Sequence, residues 1–224
     1  MTMLINENLI IKNFKYPKSK ILLINNFLNK SFHNSIYKEI LKLERFSKNM
    51  KAFIVKNKSS KKEFLDFTEF YPNQKKIIKI LSSKKFKNFL TNELKLDCKL
   101  YADRSKMYSG FNIVNKDGFL KAHADFNYNN KLKRYRSINL LIYFNKKWKS
   151  EYGGNLIFYN YNNLRKKYEF IAKENCAVIF LTNKYTPHGY KKITADKKRL
   201  SLNFYYYTKE NLSYSSVPHR TIWF

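Results

Sequence analysis

Two periodicities divide this chain. In SFHNSIYKEILKLERF, Phe32, Ile36, Ile40 and Leu43 recur at helical spacing, with Ser31 as the candidate N-cap. A second helix is predicted from near Pro72, with Ile77, Ile80 and Leu81 on one face, continuing or restarting through Phe86, Phe89, Leu90 and Leu94. Residues 1 to about 97 therefore read as mixed, with helices dominating, and serve as a support to be packed against a sheet.

From about residue 98 the pattern changes to short runs rich in β-branched and aromatic residues, broken by Asn, Asp, Gly and Lys clusters. Strands are predicted at 99–108, 119–126, 136–144, 155–161, 168–173, 176–182, 187–193 and 199–207. Short strands at such intervals favour a double-sheet jelly roll. The expected fold is thus mainly β with helical support (α+β): a double-stranded β-helix, or jelly-roll/cupin-like barrel, with N-terminal helices on its major sheet. The length of 224 residues fits one domain, with 98–208 as its core and 209–224 as a C-terminal extension.

Hydrophobic residues at 44% and aromatics at 17% supply a core and exclude a disordered chain. The formal charge of +29 makes the surface strongly basic, so nucleic acid, another polyanion or a membrane surface becomes a conceivable partner. Lysines recur along nearly the whole chain, however, and the residues in excess (Lys, Asn, Ile, Phe, Tyr) share AT-rich codons. Codon composition and a selected polyanion surface both remain open as causes. Cys98 and Cys176 show no metal or disulfide spacing. The N-terminus lacks an export pattern and no run is long enough to span a membrane, so a cytoplasmic location is expected.

The candidate chemistry lies in His123-Ala124-Asp125, His188 and Arg199. Positions i and i+2 of a strand share a face, so His123 and Asp125 can both project into a barrel. Alone, the triplet also fits an ordinary core or surface pair. With His188 it makes two imidazoles and a carboxylate, the facial set that suits non-haem Fe(II) and leaves coordination positions open. Gly189 permits close backbone approach beside His188. In RLSLNFYYY, Arg199 and Ser201 alternate onto one face, where a guanidinium fork and a hydroxyl can meet one carboxylate.

Four blocks in order, GFLKAHADFN, RSINLLIYFNKKWKSEYGGNLIFY, ENCAVIFLTNKYTPHGY and KRLSLNFYYYT, resemble the Fe(II)/2-oxoglutarate-dependent dioxygenases of the prolyl-4-hydroxylase-like branch. The resemblance spans roughly residues 106 to 208. It implies His123, Asp125 and His188 as iron ligands, Arg199 as anchor of the distal 2-oxoglutarate carboxylate, and Ser201 as a weaker contact. For the family tyrosine that often precedes the HxD segment and binds the same carboxylate, the closest register gives Asn115, and Tyr108, further upstream, is the candidate.

The resemblance further implies Fe(II), 2-oxoglutarate and O2 as cofactor and co-substrates, ascorbate as reductant, and hydroxylation of an unidentified primary substrate with release of succinate and CO2. That substrate is an amino acid, free or in a peptide, or a small or glycan-linked metabolite. Asn127, Arg134, Arg136 and Asn139 are expected near the barrel mouth, as substrate contacts or as loop and rim residues; Trp148 and His219 are expected to be structural. A demethylase of nucleic acid is disfavoured because position 205, six after Arg199, is Tyr205. The rival class is a non-catalytic basic module that binds polyanions. Monomer and homodimer are both compatible with the sequence.

Overall fold

In the computed structural model, residues 4–6, 9–16, 19–46, 51–59, 62–65, 70–103, 109–215 and 217–224 are described. Their backbone is built around β9 (Arg134–Tyr143) and β14 (Arg199–Thr208), which pair antiparallel from Ser201–Tyr143 to Thr208–Tyr135. Both strands are buried along nearly their whole length, on both faces. Ile138, Leu140 and Ile142 of β9, with Leu200, Leu202, Phe204 and Tyr206 of β14, join one core cluster. Leu141 and Tyr143 belong to a second cluster on the other face.

The large sheet runs in the order β1 (Ile10–Tyr16), β2 (Ser19–Asn25), β12 (Cys176–Leu181), β9, β14, β6 (Gly110–Val114), β4 (Lys62–Leu65) and β3 (Lys51–Phe53). β5 (Tyr101–Ala102) adds to β14 and β8 (Tyr128–Asn129) to β9. A smaller sheet runs β11 (Lys166–Phe170), β10 (Leu156–Tyr159), β13 (His188–Tyr190), β7 (Leu120–Ala124) and β15 (Ile222–Trp223). Paired strands within both sheets run antiparallel, and the second core cluster fills the space between the sheets with Val114, Leu156, Phe158, Val178 and Phe180 among its members. This is the mainly β, two-sheet jelly-roll architecture the strand pattern predicted, with helices on the outer face of the large sheet.

Those helices are α1 (Lys30–Phe46), α2 (Pro72–Leu81) and α3 (Lys84–Leu94). Phe32, Ile36 and Ile40 of α1, Ile77 and Leu81 of α2, and Phe86, Leu90 and Leu94 of α3 all enter the first core cluster. Burying each such side chain is worth about 1.5–3 kcal/mol. Tyr206 secures the layer by donating its hydroxyl to the Leu81 carbonyl at 2.9 Å.

Several expectations need correction. The first 97 residues are mixed with helices dominating, as expected, but their strands were not singled out: the β1/β2 hairpin extends the large sheet through β12, and β3 and β4 extend its far edge. The cap of α1 is Asn29, whose Oδ1 accepts from the Ser31 amide at 3.0 Å and from the Ser31 hydroxyl, so Ser31 lies inside the helix. The helical run after Pro72 breaks and restarts, with Ser83 Oγ accepting from the Phe86 amide. The expected strand at 99–108 is represented by the two-residue β5, and the strand pairing with Arg199 and Ser201 is β6, which the sequence pattern did not single out. Tyr108 lies outside the described residues. Among those residues, no helix is long and apolar enough to cross a membrane.

Gly189 sits where β13 crosses closest to β7. A Cβ there would lie 2.5 Å from the Leu120 carbonyl oxygen and 2.8 Å from that of Lys121, so backbone would have to move. Gly189→Ala should therefore cost roughly 1–3 kcal/mol. A thermal melt showing an unchanged midpoint would contradict this close approach.

Candidate metal centre

His123 and His188 face one another as a registered pair between β7 and β13, and their rings are 4.5 Å apart. The pairing slips immediately afterwards: Tyr190 opposes Leu120, so three residues of β7 span two of β13. This bulge puts both Leu120 and His123 toward the space between the sheets, the kind of re-aiming that bulges perform beside functional sites. Asp125 follows just beyond the end of β7.

Ligand atoms of His123, Asp125 and His188 lie within 4.8 Å of one another, and all three residues are buried. Each imidazole is oriented alike. His123 Nδ1 is 3.0 Å from the Lys121 carbonyl and His188 Nδ1 is 3.0 Å from the Thr186 carbonyl, so each Nδ1–H donates backward and each Nε2 presents a lone pair. The two Nε2 atoms approach Asp125 at 3.6 and 3.5 Å. Trp223 packs over His123 at 4.9 Å, and Phe180 meets His188 edge-on at 4.8 Å, so aromatic walls fix both rings. Two neutral nitrogens and a carboxylate oxygen, converging and largely dry, fit a divalent first-row cation such as Fe(II).

Burial opposes the charge on Asp125, but Arg136 and the two imidazoles outweigh it and hold the carboxyl well below its usual range. Burial also lowers His188, to about 4; His123 reinforces this while Asp125 and the Thr186 carbonyl oppose it. Between the ordinary value of 6.5 and about 4 the folded chain then binds fewer protons than the unfolded one. Metal-free protein should lose stability as pH falls through that window, because protonation favours the unfolded state. Melts at pH 7 and pH 5 check this: the midpoint should drop more in the parent than in His188→Gln, and equal drops would refute it.

Arg199 lies on the inner face of the large sheet and is only 3% exposed. Its Nε donates to the Gly154 carbonyl at 2.7 Å and its Nη2 to the Tyr143 hydroxyl at 3.2 Å. Its guanidinium lies 4.3 Å from the Tyr190 ring centroid. Tyr190 is two residues past His188, about 6.6 Å along the strand, so this cation sits close to the metal-binding strand. Among the described residues no carboxylate pairs with Arg199. Burial pushes the Tyr143 hydroxyl up to about 12, partly offset by Arg199, so it stays protonated and can donate. Gly154, at φ +67°, permits the approach: a Cβ there would meet Arg199 Cδ at 3.1 Å.

Ser201 shares the face of Arg199, between Asn112 of β6 and Tyr143 of β9, and its hydroxyl donates to Asn203 Oδ1 at 3.0 Å. Tyr143 is the residue that the sequence reading missed. It sat in the RSINLLIY run as an apparent core residue, and only its pairing across from Ser201 marks it out. Asn112, whose Oδ1 is buried without a hydrogen-bond partner, is also new here. Arg136 and Asn139 are not at a solvated rim: both are buried against Asp125. Arg134 lies over the Tyr101 ring. Asn127 holds the C-terminal segment through Ser213, Val217 and His219. Trp148 packs in the inter-sheet core and donates to the Gly153 carbonyl.

The family model described as the 2OG-Fe(II) oxygenase superfamily matches residues 109–207. Residues 109–207 belong to that superfamily. The oxygenase segment contains both imidazoles, Asp125 and Arg199, and membership marks the protein as a 2-oxoglutarate-dependent iron dioxygenase. The superfamily implies Fe(II), 2-oxoglutarate and O2 as its working set. No curated protein matches the chain by sequence.

Solved structures resemble the oxygenase in fold. A Pseudomonas putida prolyl-4-hydroxylase aligns at TM-score 0.63 and 14% identity over 85% of this chain and 92% of its own. A prolyl hydroxylase from Trichoplax adhaerens, in complex with a hypoxia inducible factor oxygen degradation domain peptide fragment, aligns at 0.64 and 18% over 88% and 87%. The viral collagen prolyl hydroxylase of Paramecium Bursaria Chlorella virus-1, a 2OG complex, aligns at 0.56 and 15% over 86% and 96%.

Proposed function

We propose that this oxygenase hydroxylates a C–H bond of an amino acid, free or within a peptide, with release of succinate and CO2. His123, Asp125 and His188 hold Fe(II) through two Nε2 atoms and one carboxylate oxygen. Arg199 takes the far carboxylate of 2-oxoglutarate, Tyr143 donates a second hydrogen bond to it, and Ser201 and Asn112 lie within the same wall. Fe(II) held there supplies the redox chemistry that couples O2 reduction to decarboxylation of 2-oxoglutarate, with ascorbate as the reductant that keeps the metal ferrous.

The observation that carries this reading is Arg199. A buried guanidinium without an acidic partner is costly unless an anion completes it. Here that place adjoins the strand of a metal-ready His–Asp–His cluster, where a small dicarboxylate can meet both. The amino-acid substrate class draws on the prolyl hydroxylases that share the fold, one of them in complex with a peptide. The core of 98–208 then acts as the catalytic unit, supported by the residues on either side.

Calorimetric titration of 2-oxoglutarate into Mn(II)-loaded protein under argon tests this arrangement without turnover. Saturable one-to-one binding that disappears when Mn(II) is withheld is expected. Absence of 2-oxoglutarate binding in the presence of Mn(II) would contradict it.

A further inference from the structure

Arg136 lies in the basic stretch NYNNKLKRYR, yet it is 4% exposed. Its guanidinium is stacked between two rings, with the Tyr205 centroid at 3.7 Å and the Phe126 centroid at 4.7 Å. Its Nε and Nη2 both donate to Asn139 Oδ1, at 3.1 and 2.9 Å, and Nη2 also reaches Asp125 Oδ2 at 3.2 Å. Asn139 turns its amide nitrogen to the same oxygen, donating to Asp125 Oδ2 at 2.6 Å. Thr182 donates to Asn139 Oδ1 at 3.3 Å, so the asparagine cannot rotate without breaking four hydrogen bonds.

The consequence for Asp125 is asymmetric. Its Oδ2 accepts from two fixed donors, one of them charged, and lies 3.5 Å from His188 Nε2, whereas Oδ1 accepts from neither and lies 3.6 Å from His123 Nε2. A carboxylate held by one oxygen cannot readily swing both toward a cation. The arrangement also sets the charge: Arg136 neutralises Asp125 in a largely dry site, so two neutral imidazoles and a compensated carboxylate await a divalent ion.

Resting on the metal reading above, we propose that Arg136 and Asn139 are positioning residues that make Asp125 a one-oxygen ligand. They keep a coordination position free for the 2-oxo acid. They touch neither co-substrate nor substrate in this role and act through Asp125 alone. Altering residues that orient a metal ligand commonly changes metal affinity or activity by about 10–100-fold, and the effect here should fall on co-substrate binding.

Co(II) in place of iron, under argon, gives a readout that does not need turnover. The parent protein, Arg136→Met, Arg136→Lys and Asn139→Ala are titrated with Co(II), and their visible spectra recorded before and after 2-oxoglutarate. Both truncations should bind Co(II) with an altered d–d spectrum, as the released carboxylate oxygen joins the coordination sphere. Their 2-oxoglutarate affinity should be about 10–100-fold weaker, with Arg136→Lys nearer the parent. Asn139→Ala keeps both charges and decides the matter if Arg136→Met does not fold.

Parental spectra and parental 2-oxoglutarate affinity in the folded truncations would overturn the positioning role while leaving the metal reading intact. If the parent itself gave no Co(II) spectrum, both would fall.

Discussion

Arg199→Met is expected to raise the 2-oxoglutarate concentration needed for half-saturation by roughly 100-fold, with little change in metal binding. Truncating one partner of a buried, hydrogen-bonded charge pair costs about 2–5 kcal/mol, and each 1.4 kcal/mol is about tenfold in affinity. The lower half of that range, about 3 kcal/mol, applies because Tyr143 remains to donate to the carboxylate. Methionine fills the space beside Tyr190 and Gly154, so the inter-sheet core need not collapse. Arg199→Lys keeps the charge but loses the fork that now joins the Gly154 carbonyl to the Tyr143 hydroxyl. It should lie between parent and Arg199→Met. Titration of Mn(II)-loaded protein with 2-oxoglutarate measures the effect, and equal affinities in parent and Arg199→Met would show that the buried cation serves only the fold.

His123→Ala and Asp125→Asn should each lower turnover by at least roughly 100-fold, the upper end of what altering a mere supporting residue produces. The two substitutions fail for different reasons. His123→Ala removes a nitrogen donor and the ring on which Trp223 packs, while His188 and Asp125 stay in place. Asp125→Asn preserves shape and an acceptor for Asn139 and Arg136 but removes the negative charge. Arg136 is then a buried cation without its counterion, and breaking such a pair typically costs about 3–5 kcal/mol. Asp125→Asn should thus show a lowered melting temperature as well as lost activity, whereas His123→Ala should lose activity with a smaller thermal effect. Metal content after gel filtration, read beside the melts, separates the two; full metal loading in both would contradict the ligand assignment.

Much of this arrangement was legible in the sequence because period-two patterning fixes faces. His123 and Asp125 two apart, and Arg199 and Ser201 two apart, needed only strands to bring them onto shared faces. The bulge between Leu120 and His123 was not legible, since it depends on how β7 meets Gly189. Helix periodicity located α2 and α3 but left open whether the run continued or restarted; the Ser83 cap decides for a restart. The β1/β2 hairpin escaped notice because its outer strand carries polar residues and the short apolar run of β2, buried on both faces, shows no period-two alternation. Its sequence signal is therefore weaker than that of β9 or β12.

The polar support of the site was misread for a related reason. Arg136 stands in NYNNKLKRYR, where every neighbouring cue indicates solvent, and its burial follows only from the carboxylate and two rings that enclose it. Tyr143 looked like one more aromatic in an apolar run. Its role as hydrogen-bond partner of Arg199 arises from the register between β9 and β14, a long-range pairing that no local pattern encodes.

The most direct measurement is the fate of oxygen atoms in a reaction under 18O2. Anaerobic protein is loaded with Fe(II), 2-oxoglutarate and ascorbate, exposed to 18O2, and the succinate analysed by mass spectrometry beside His123→Ala. A dioxygenase of this type places one 18O atom in succinate, so labelled succinate from the parent and none from His123→Ala is the expected result. Absence of labelled succinate from metal-loaded parent protein would contradict the account at its centre.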